Sequence, residues 1–384
     1  MTRDTDFGGN GPPAEGIRSI AVIRALALGD MLCAIPSLRA LRSRYPTAGI
    51  TLIGLPWARD LVERYPKYLD EHLAFPGYPG IPEVPVDPGT VLAFLADMQR
   101  RRFDLVVQLH GSGLHINEFA LLCDGATTAG FVPPGLSAPG PGVWVPYPPH
   151  GSEVDRLLAL PAALGAPVDP ALEFPIADSD VDDLDRLLAG AISPKEPLAV
   201  VHAGGSTPSR RWPAERFAAV ADELARAGLQ VVLTGTAGER ATALAVTGAM
   251  TARPVDLTGR TSLAAAAALI ERARIVVTND TGISHLAAAV GTQSVVIFSA
   301  SDRDRWAPLD GATHVAIGIW PGGPGCRHPQ DGIHRCIGDA CSLDVRRDGP
   351  TPQTDVPVEH VLEAIGRLLG HGDPRAPATG ARSG

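Results

Sequence analysis

The sequence predicts an α/β protein of two doubly wound, Rossmann-like domains whose strand ends face a central cleft. Three observations predict it. The chain has 384 residues, more than one hydrophobic core comfortably holds, so two domains are expected. Short apolar, β-branched runs alternate with helical stretches, as in a parallel sheet built from strand–helix units. This pattern runs out in a Pro- and Asp-rich stretch at 169–197 and restarts at Leu198.

In chain order, Ser19 to Arg24 reads as a buried strand. The following helix carries Leu32, Ile35, Leu38 and Leu41 inward and runs to Tyr45. Pro36 is tolerated only in a first helical turn, so the regular helix is expected to begin near Cys33 to Ile35, with Asp30 in the loop before it. Ile50 to Leu55 is the next strand and Ala58 to Arg64 a short helix. Phe75 to Gly89 is a Pro/Gly-rich loop. Helix at Val91 to Arg101, strand at Asp104 to Leu109, helix at Asn117 to Cys123 and strand at Ala129 to Val132 follow. Ser137 to Pro149 reads as loop and Glu153 to Leu164 as helix. The crossover holds one short helix, Val181 to Leu188.

The second array starts with a strand at Leu198 to His202. Its helices are Pro213 to Ala227, Ala237 to Val246 and Leu263 to Arg272. Its later strands are Gln230 to Thr234, Val255 to Leu257, the run at Ile275 to Val277, Ser294 to Ser299 and His314 to Ile317. Val358 to Leu369 is the last helix. The domains are accordingly placed at residues 17–175 and 190–350, with a terminal helix at 356–370 and flexible tails at 1–16 and 371–384.

Composition narrows the class. Hydrophobic residues make up 45% and charged residues 20%, values of a soluble globular protein. No apolar run approaches the ~18 residues of a membrane span, and Met1 to Gly16 lacks an apolar signal-peptide core, so a cytoplasmic protein is expected. A net charge of −9 argues against a nucleic-acid partner. Arg39, Arg42, Arg44, Arg59, Arg64 and Lys67 form either a basic patch for an anionic partner or a solvated helix face. Cys33 and Cys123 sit in apolar segments. Cys326, Cys336 and Cys341 cluster with His328 and His334 but contain no C-x-x-C pair, which leaves free thiols or a zinc site open.

Four stretches carry the chemistry. Arg274 to Gly291 reads as strand, tight turn and helix. Its turn, Asp280, Thr281 and Gly282, offers backbone N–H groups at a helix N-terminus, suited to a phosphate; the alternative is that Asn279 or Asp280 only caps the helix. His202 to Pro213 delivers Gly204 and Gly205, the hydroxyls of Ser206 and Thr207, and the guanidinium groups of Arg210 and Arg211 into one loop, again suited to phosphate. It lacks the G-x-x-x-x-G-K-[ST] order. In Thr234 to Arg240, Glu239 either accepts from ribose hydroxyls or complements a helix dipole. In Leu26 to Asp30, Asp30 is either a general base or a helix cap. His110-Gly-Ser-Gly-Leu-His-Ile116 has Ile116 where a dinucleotide fingerprint needs its third glycine, which disfavours a dehydrogenase.

Together these pieces resemble glycosyltransferase family 9, the ADP-heptose:lipopolysaccharide heptosyltransferases and relatives. The resemblance is carried in family order by Ile20-Ala-Val-Ile-Arg-Ala-Leu-Ala-Leu-Gly-Asp-Met-Leu-Cys-Ala-Ile-Pro36, Phe103 to Gly111, His202 to Pro213, Asp256-Leu-Thr-Gly-Arg-Thr-Ser-Leu263 and Asn279 to Leu286. It implies the GT-B fold, with the acceptor on the amino-terminal domain, the nucleotide sugar on the carboxyl-terminal domain, and the last helix crossing back to the first. It implies an inverting transfer, independent of metal and without a cofactor, of a sugar such as heptose from ADP-heptose to a hydroxyl of a saccharide, a lipopolysaccharide core or a metabolite. Asp30 falls on the family's catalytic aspartate. Arg210 falls where the family usually has lysine, and Asp280, Thr281, Gly282 and His285 fall on its Asp-Thr-Gly turn. Glu239 matches the nucleotide-side glutamate, and His285 either donates to the diphosphate or packs. A peripheral membrane contact fits a lipid-linked acceptor. The rival expectations are a silent nucleotide-sugar-binding protein and a GT-B-like sugar-nucleotide epimerase.

Overall fold

The computed structural model describes residues 12–192, 196–318 and 356–370, with the backbone of two short strands, Cys336–Ile337 and Ala340–Cys341. The chain divides into two compact units between Pro175 and Ile176.

The first unit is a six-stranded parallel sheet with helices between its strands. In chain order it comprises β1 (Ser19–Ile23), α1 (Leu28–Arg44), β2 (Gly49–Gly54), α2 (Arg59–Arg64), β3 (Glu71–Ala74) and α3 (Pro88–Arg101). It continues with β4 (Leu105–Gln108), α4 (Asn117–Leu122), β5 (Thr127–Val132), β6 (Val143–Pro146) and α5 (Glu153–Ala163). The strand order is β3-β2-β1-β4-β5-β6. Because the order reverses between β1 and β4, the loops leaving these two strands flank a crevice at their carboxyl ends. β1, β2 and β4 are buried on both faces, which is why they read as unbroken apolar runs.

Two strands escaped the sequence reading, β3 and β6, and both are sheet edges. Glu71 and His72 interrupt β3 and Pro146 ends β6, as suits strands that are covered incompletely. The helix α1 also begins earlier than Pro36 suggested. Its first turn closes on the Met31 N–H to Ala27 carbonyl bond at 3.0 Å, and Pro36 lies inside the helix. Tertiary burial of Met31, Leu32, Cys33 and Ile35 outweighs the lost proline hydrogen bond.

Most of the basic residues at 39–67 have partners within the first unit. Arg39 donates to Glu173 at 2.7 Å and to the carbonyls of Asp169 and Ala171 at 2.8 Å. Lys67 and Tyr68 also donate to the Glu173 carboxylate, and Arg64 to the Pro175 carbonyl. Arg44 donates to the Leu164 carbonyl and Arg42 pairs with Asp70. These cations clasp the segment that leaves α5 onto the first unit. Burial opposes the Glu173 charge, but the hydrogen bonds from Lys67, Tyr68 and Arg39 outweigh it and hold its pKa at about 2, below the ordinary 4.5. A depressed carboxyl pKa stabilises the fold above the unfolded value and loses that effect as pH falls toward the folded one. The melting temperature of Glu173→Gln should therefore lie below that of the parent at pH 7, with the gap closing as pH drops from 4.5 toward 2. Thermal melts along this series check it, and a gap independent of pH would remove the clasp from the acid response.

The second unit repeats the design. It contains α6 (Asp178–Leu188), β7 (Leu198–His202), α7 (Ala214–Arg226), β8 (Gln230–Leu233), α8 (Arg240–Ala249), β9 (Val255–Asp256), α9 (Leu263–Arg272), β10 (Ile275–Asn279) and α10 (Gly282–Ala289). β11 (Ser294–Phe298), α11 (Arg303–Trp306) and β12 (His314–Gly318) follow. The two short strands after them pair antiparallel as β13 and β14, and α12 is Val358–Gly370. The sheet order β12-β11-β10-β7-β8-β9 is the same winding seen from the other edge, so β7 and β10 are its switch point. The crossover helix α6 packs on α9, within this unit.

The last helix departs from the expectation that it crosses back to the first domain. Val361, Ala364, Ile365 and Leu368 lie in the second unit's core, against α7, β11 and β12. Trp212 and Arg216 both donate to the Val356 carbonyl, at 3.0 and 2.7 Å, and tie the entry to this helix down. The apolar stripe of α12 finds its cover here.

No described helix is long and apolar enough to cross a membrane. Cys33 and Cys123 are buried free thiols, as their apolar surroundings suggest. The side chains of Cys326, Cys336, Cys341, His328 and His334 lie outside the described residues.

Candidate functional site

In the second unit three strand-end loops converge: those after β7, β8 and β10. Strand pairing dictates this, since β10 and β8 flank β7 and the Thr278–His202 register sets the β7 and β10 ends side by side. Asn279, fully buried, ties two of the loops together. Its Oδ1 accepts the Trp212 N–H at 2.9 Å, and its Nδ2 donates to the carbonyls of Ala203 and Gly204 at 3.0 and 2.8 Å. A Cβ built on Gly205 would stand 3.8 Å from Thr281 Cγ2, so the loop at Gly204 to Thr207 and the turn at Asp280 to Gly282 are neighbours.

The N-cap of α10 is Thr281, whose side chain accepts no cap hydrogen bond. Asn279 is committed to the β7 loop, and Asp280 is buried with its N–H bonded to the Ile297 carbonyl. The Thr281 side chain therefore leaves the N–H groups at the positive end of the α10 dipole to other partners. His285, on the same helix, is buried and meets the Trp306 ring edge-on at 6.1 Å, so it packs whatever else it does. That ring comes from α11, a short helix the sequence reading did not resolve.

The two arginines of the β7 loop separate in role. Arg211 Nε donates to the Gly205 carbonyl at 2.8 Å and braces the loop. Arg210, at the end of a single 3-10 turn, makes no side-chain hydrogen bond or ion pair among the described residues. Ser206 and Thr207 are exposed beside it.

Glu239 links the β8 loop to the β7 loop. Its Oε1 accepts the Gly205 N–H at 2.7 Å, while Oε2 accepts the Thr236 N–H and hydroxyl at 2.7 and 2.9 Å. It is thus the carboxylate of a capping box, as the helix-end alternative held, and also a bridge between loops. Gly204 makes room for it, because a Cβ there would collide with the Glu239 carboxylate. Burial opposes the charge of Glu239, yet His202 and the N–H groups of Thr236 and Gly205 hold its pKa below the ordinary value. His202 is itself buried, with Nδ1 3.0 Å from the Thr234 carbonyl and Nε2 3.8 Å from Glu239. Burial drives its pKa down. Three bonds use most of the roughly four lone-pair sites of a carboxylate, so Glu239 keeps about one acceptor direction. A small cavity behind it is lined by Ala203, Gly204, Leu233 and Thr234.

In the first unit, Asp30 is the third residue of α1, behind an Ala27 N-cap, and not in a preceding loop. Its side chain is 27% exposed. Arg24, which the sequence reading passed over as the end of a strand, is fully buried at the β1 end of the switch point. Its Nε donates to the Asp30 carbonyl at 2.9 Å, and its Nη2 lies 3.9 Å from Asp30 Oδ1 and 3.5 Å from Glu153 Oε1. Nη1 donates to the Leu109 carbonyl. His110, from the β4 loop, accepts the Ala25 N–H through Nδ1 at 3.3 Å. Burial and the Arg24 charge push its pKa down to about 3, so it is neutral at physiological pH. Among the described residues no three His, Cys, Asp or Glu side chains converge as a metal site would require.

The family model of glycosyltransferase family 9 (heptosyltransferase) matches residues 148–322. Lipopolysaccharide heptosyltransferase 2 of Salmonella typhimurium is 27% identical over 314 residues, covering 77% of this chain and 87% of that one. Among solved structures, a family 9 glycosyl transferase from Veillonella parvula superposes with a TM-score of 0.76 at 20% identity, over 92% of this chain and 98% of the other. The ADP-heptose lps heptosyltransferase II of E. coli gives 0.67 at 21% identity, over 92% and 99%. Two Rossmann-like units with this winding, in the company of these structures, give the GT-B fold, and the family model and the curated relatives make the chain a glycosyltransferase. Within that class its matches are to heptosyltransferases of glycosyltransferase family 9, which the chain resembles.

Proposed function

We propose that the chain transfers a heptose, with inversion at the anomeric carbon, from ADP-heptose to a hydroxyl of a saccharide acceptor of the lipopolysaccharide-core type. The relatives' names support the donor and acceptor classes. One observation carries the assignment of the donor site: Arg210 has no partner among the described residues, while beside its loop the N-cap of α10, Thr281, makes no side-chain cap bond. A guanidinium and a row of N–H groups are the complement of a diphosphate.

In this reading the N–H groups of Gly204, Ser206 and Thr207, Arg210 and the turn at Thr281 and Gly282 hold the diphosphate. They stabilise the negative charge that grows on it as the glycosidic bond breaks, so no metal is invoked. Asp280 accepts from sugar hydroxyls, Glu239 uses its remaining lone pair on the ribose, and His285 donates to the diphosphate from its place against Trp306. Asp30 takes the acceptor hydroxyl proton as that oxygen bonds to the anomeric carbon, and ADP departs. Arginine at position 210 keeps the charge and adds a bidentate geometry that lysine lacks.

The test incubates purified protein with ADP-heptose, with and without a deacylated lipopolysaccharide core. ADP should be released only when the acceptor is present, with the product inverted at the anomeric carbon. Donor conversion without acceptor, or a retained anomer, would sink the reading. Separately, Arg210→Ala should weaken ADP binding by about 1.5–3 kcal/mol, the scale of a hydrogen bond to a charged group. Unchanged affinity in a calorimetric titration would take Arg210 out of the site.

A further inference from the structure

We propose that Arg24 is a positioning residue for Asp30, held in its turn by Glu153 and Tyr147. Arg24 has no exposed surface and Glu153 is 2% exposed, so both charges are enclosed. Enclosing two ions is expensive unless geometry and hydrogen bonds offset the lost hydration, and well-packed apolar residues often serve stability as well or better. Stability by itself is therefore a weak reason for this pair.

Its geometry points at Asp30. One guanidinium edge grips the backbone of Asp30 through Nε at 2.9 Å and holds Leu109 through Nη1. The remaining nitrogen stands between two carboxylates, 3.5 Å from Glu153 and 3.9 Å from Asp30. The longer separation lies beyond hydrogen-bond reach, so Arg24 attracts the Asp30 carboxylate without occupying its lone pairs. Glu153, receiving the Tyr147 hydroxyl at 3.1 Å, balances the guanidinium charge. The guanidinium thus holds Asp30 by its backbone and faces its carboxylate. The planar fork joins α1, the β4 end and α5, and a lysine would match only one of these contacts at a time.

This inference rests on Asp30 being the base, and the experiment separates the two. Turnover is read as ADP release with the acceptor, and donor affinity by titration with ADP. Arg24→Lys keeps the charge and loses the fork. It should lower turnover about 100-fold, the effect of misplacing a reacting group by about an ångström, with ADP affinity within twofold. In an Asp30→Asn background the same Arg24→Lys change should cost nothing further, because its effect is transmitted through Asp30. A full second loss in that background overturns the proposal while leaving the base assignment standing. If Asp30→Asn alone retains turnover, it is the base that fails. The paired variant Arg24→Met with Glu153→Leu removes both buried charges and is expected to fold, yet to show the same loss. Turnover within threefold of the parent in this folded variant would reduce Arg24 to a counter-ion for Glu153 and overturn the proposal.

Discussion

Asp30→Asn is expected to lower turnover by about 100-fold or more with ADP affinity unchanged, the range for removal of a general base. Asparagine has the same shape and cannot take a proton, so the change isolates the chemistry. The position argues for this outcome over a purely structural one. Asp30 is not the N-cap of α1, which is Ala27, and its side chain is partly open to solvent while Arg24 holds its backbone. A carboxylate in a first helical turn contributes about 0.3–1 kcal/mol through the helix dipole, so a small fall in melting temperature should accompany the loss. A fall in melting temperature with near-normal ADP release would assign Asp30 to the helix alone.

The largest effect on stability is expected at Asn279. Asn279→Ala leaves the Trp212 N–H and the carbonyls of Ala203 and Gly204 without partners in a region closed to water. An orphaned buried group costs about 1–3 kcal/mol, so the loss should reach roughly 3 kcal/mol or more. ADP binding should fall as well, because the bonds that hold the β7 loop against the β10 turn are gone. Asn279→Asp keeps the acceptor for Trp212 but sets an anion against two carbonyl oxygens, and should be at least as damaging. Urea melts and ADP titration measure both effects. A change in stability under about 1 kcal/mol with unaltered ADP affinity would show that the loops are held by something else.

Much of the fold was legible in the chain. Strands enclosed on both faces, such as Leu198–His202 and Ile275–Asn279, announce themselves as apolar β-branched runs, and the α9 helix at Leu263–Arg272 was read to its ends. Edge strands β3 and β6 were missed because a half-covered strand tolerates Glu, His and Pro. α11 has four residues, too few to show a period. The start of α1 was misjudged because Pro36 speaks against a helix locally, while Met31 and Leu32 gain their burial only in the folded unit.

In the site, the loops at Gly204 and Asp280 could be found because glycine and hydroxyl clusters after a strand are local signals. The roles of Asn279, Arg24 and Glu153 could not, since Asn279 meets Trp212 67 residues away and Arg24 meets Glu153 129 residues away. By itself the sequence determined two successive strand–helix arrays and the composition of their strand-end loops, because periodicity and turn chemistry act over a few residues. Only the tertiary structure decided that Arg211 braces a loop while Arg210 has no partner among the described residues, and that Arg24 is enclosed behind Asp30. It also brought Arg39 and Lys67 together on the Glu173 carboxylate. A hydrogen bond forms within about 3 Å, and which side chains come that close is settled by how distant elements pack.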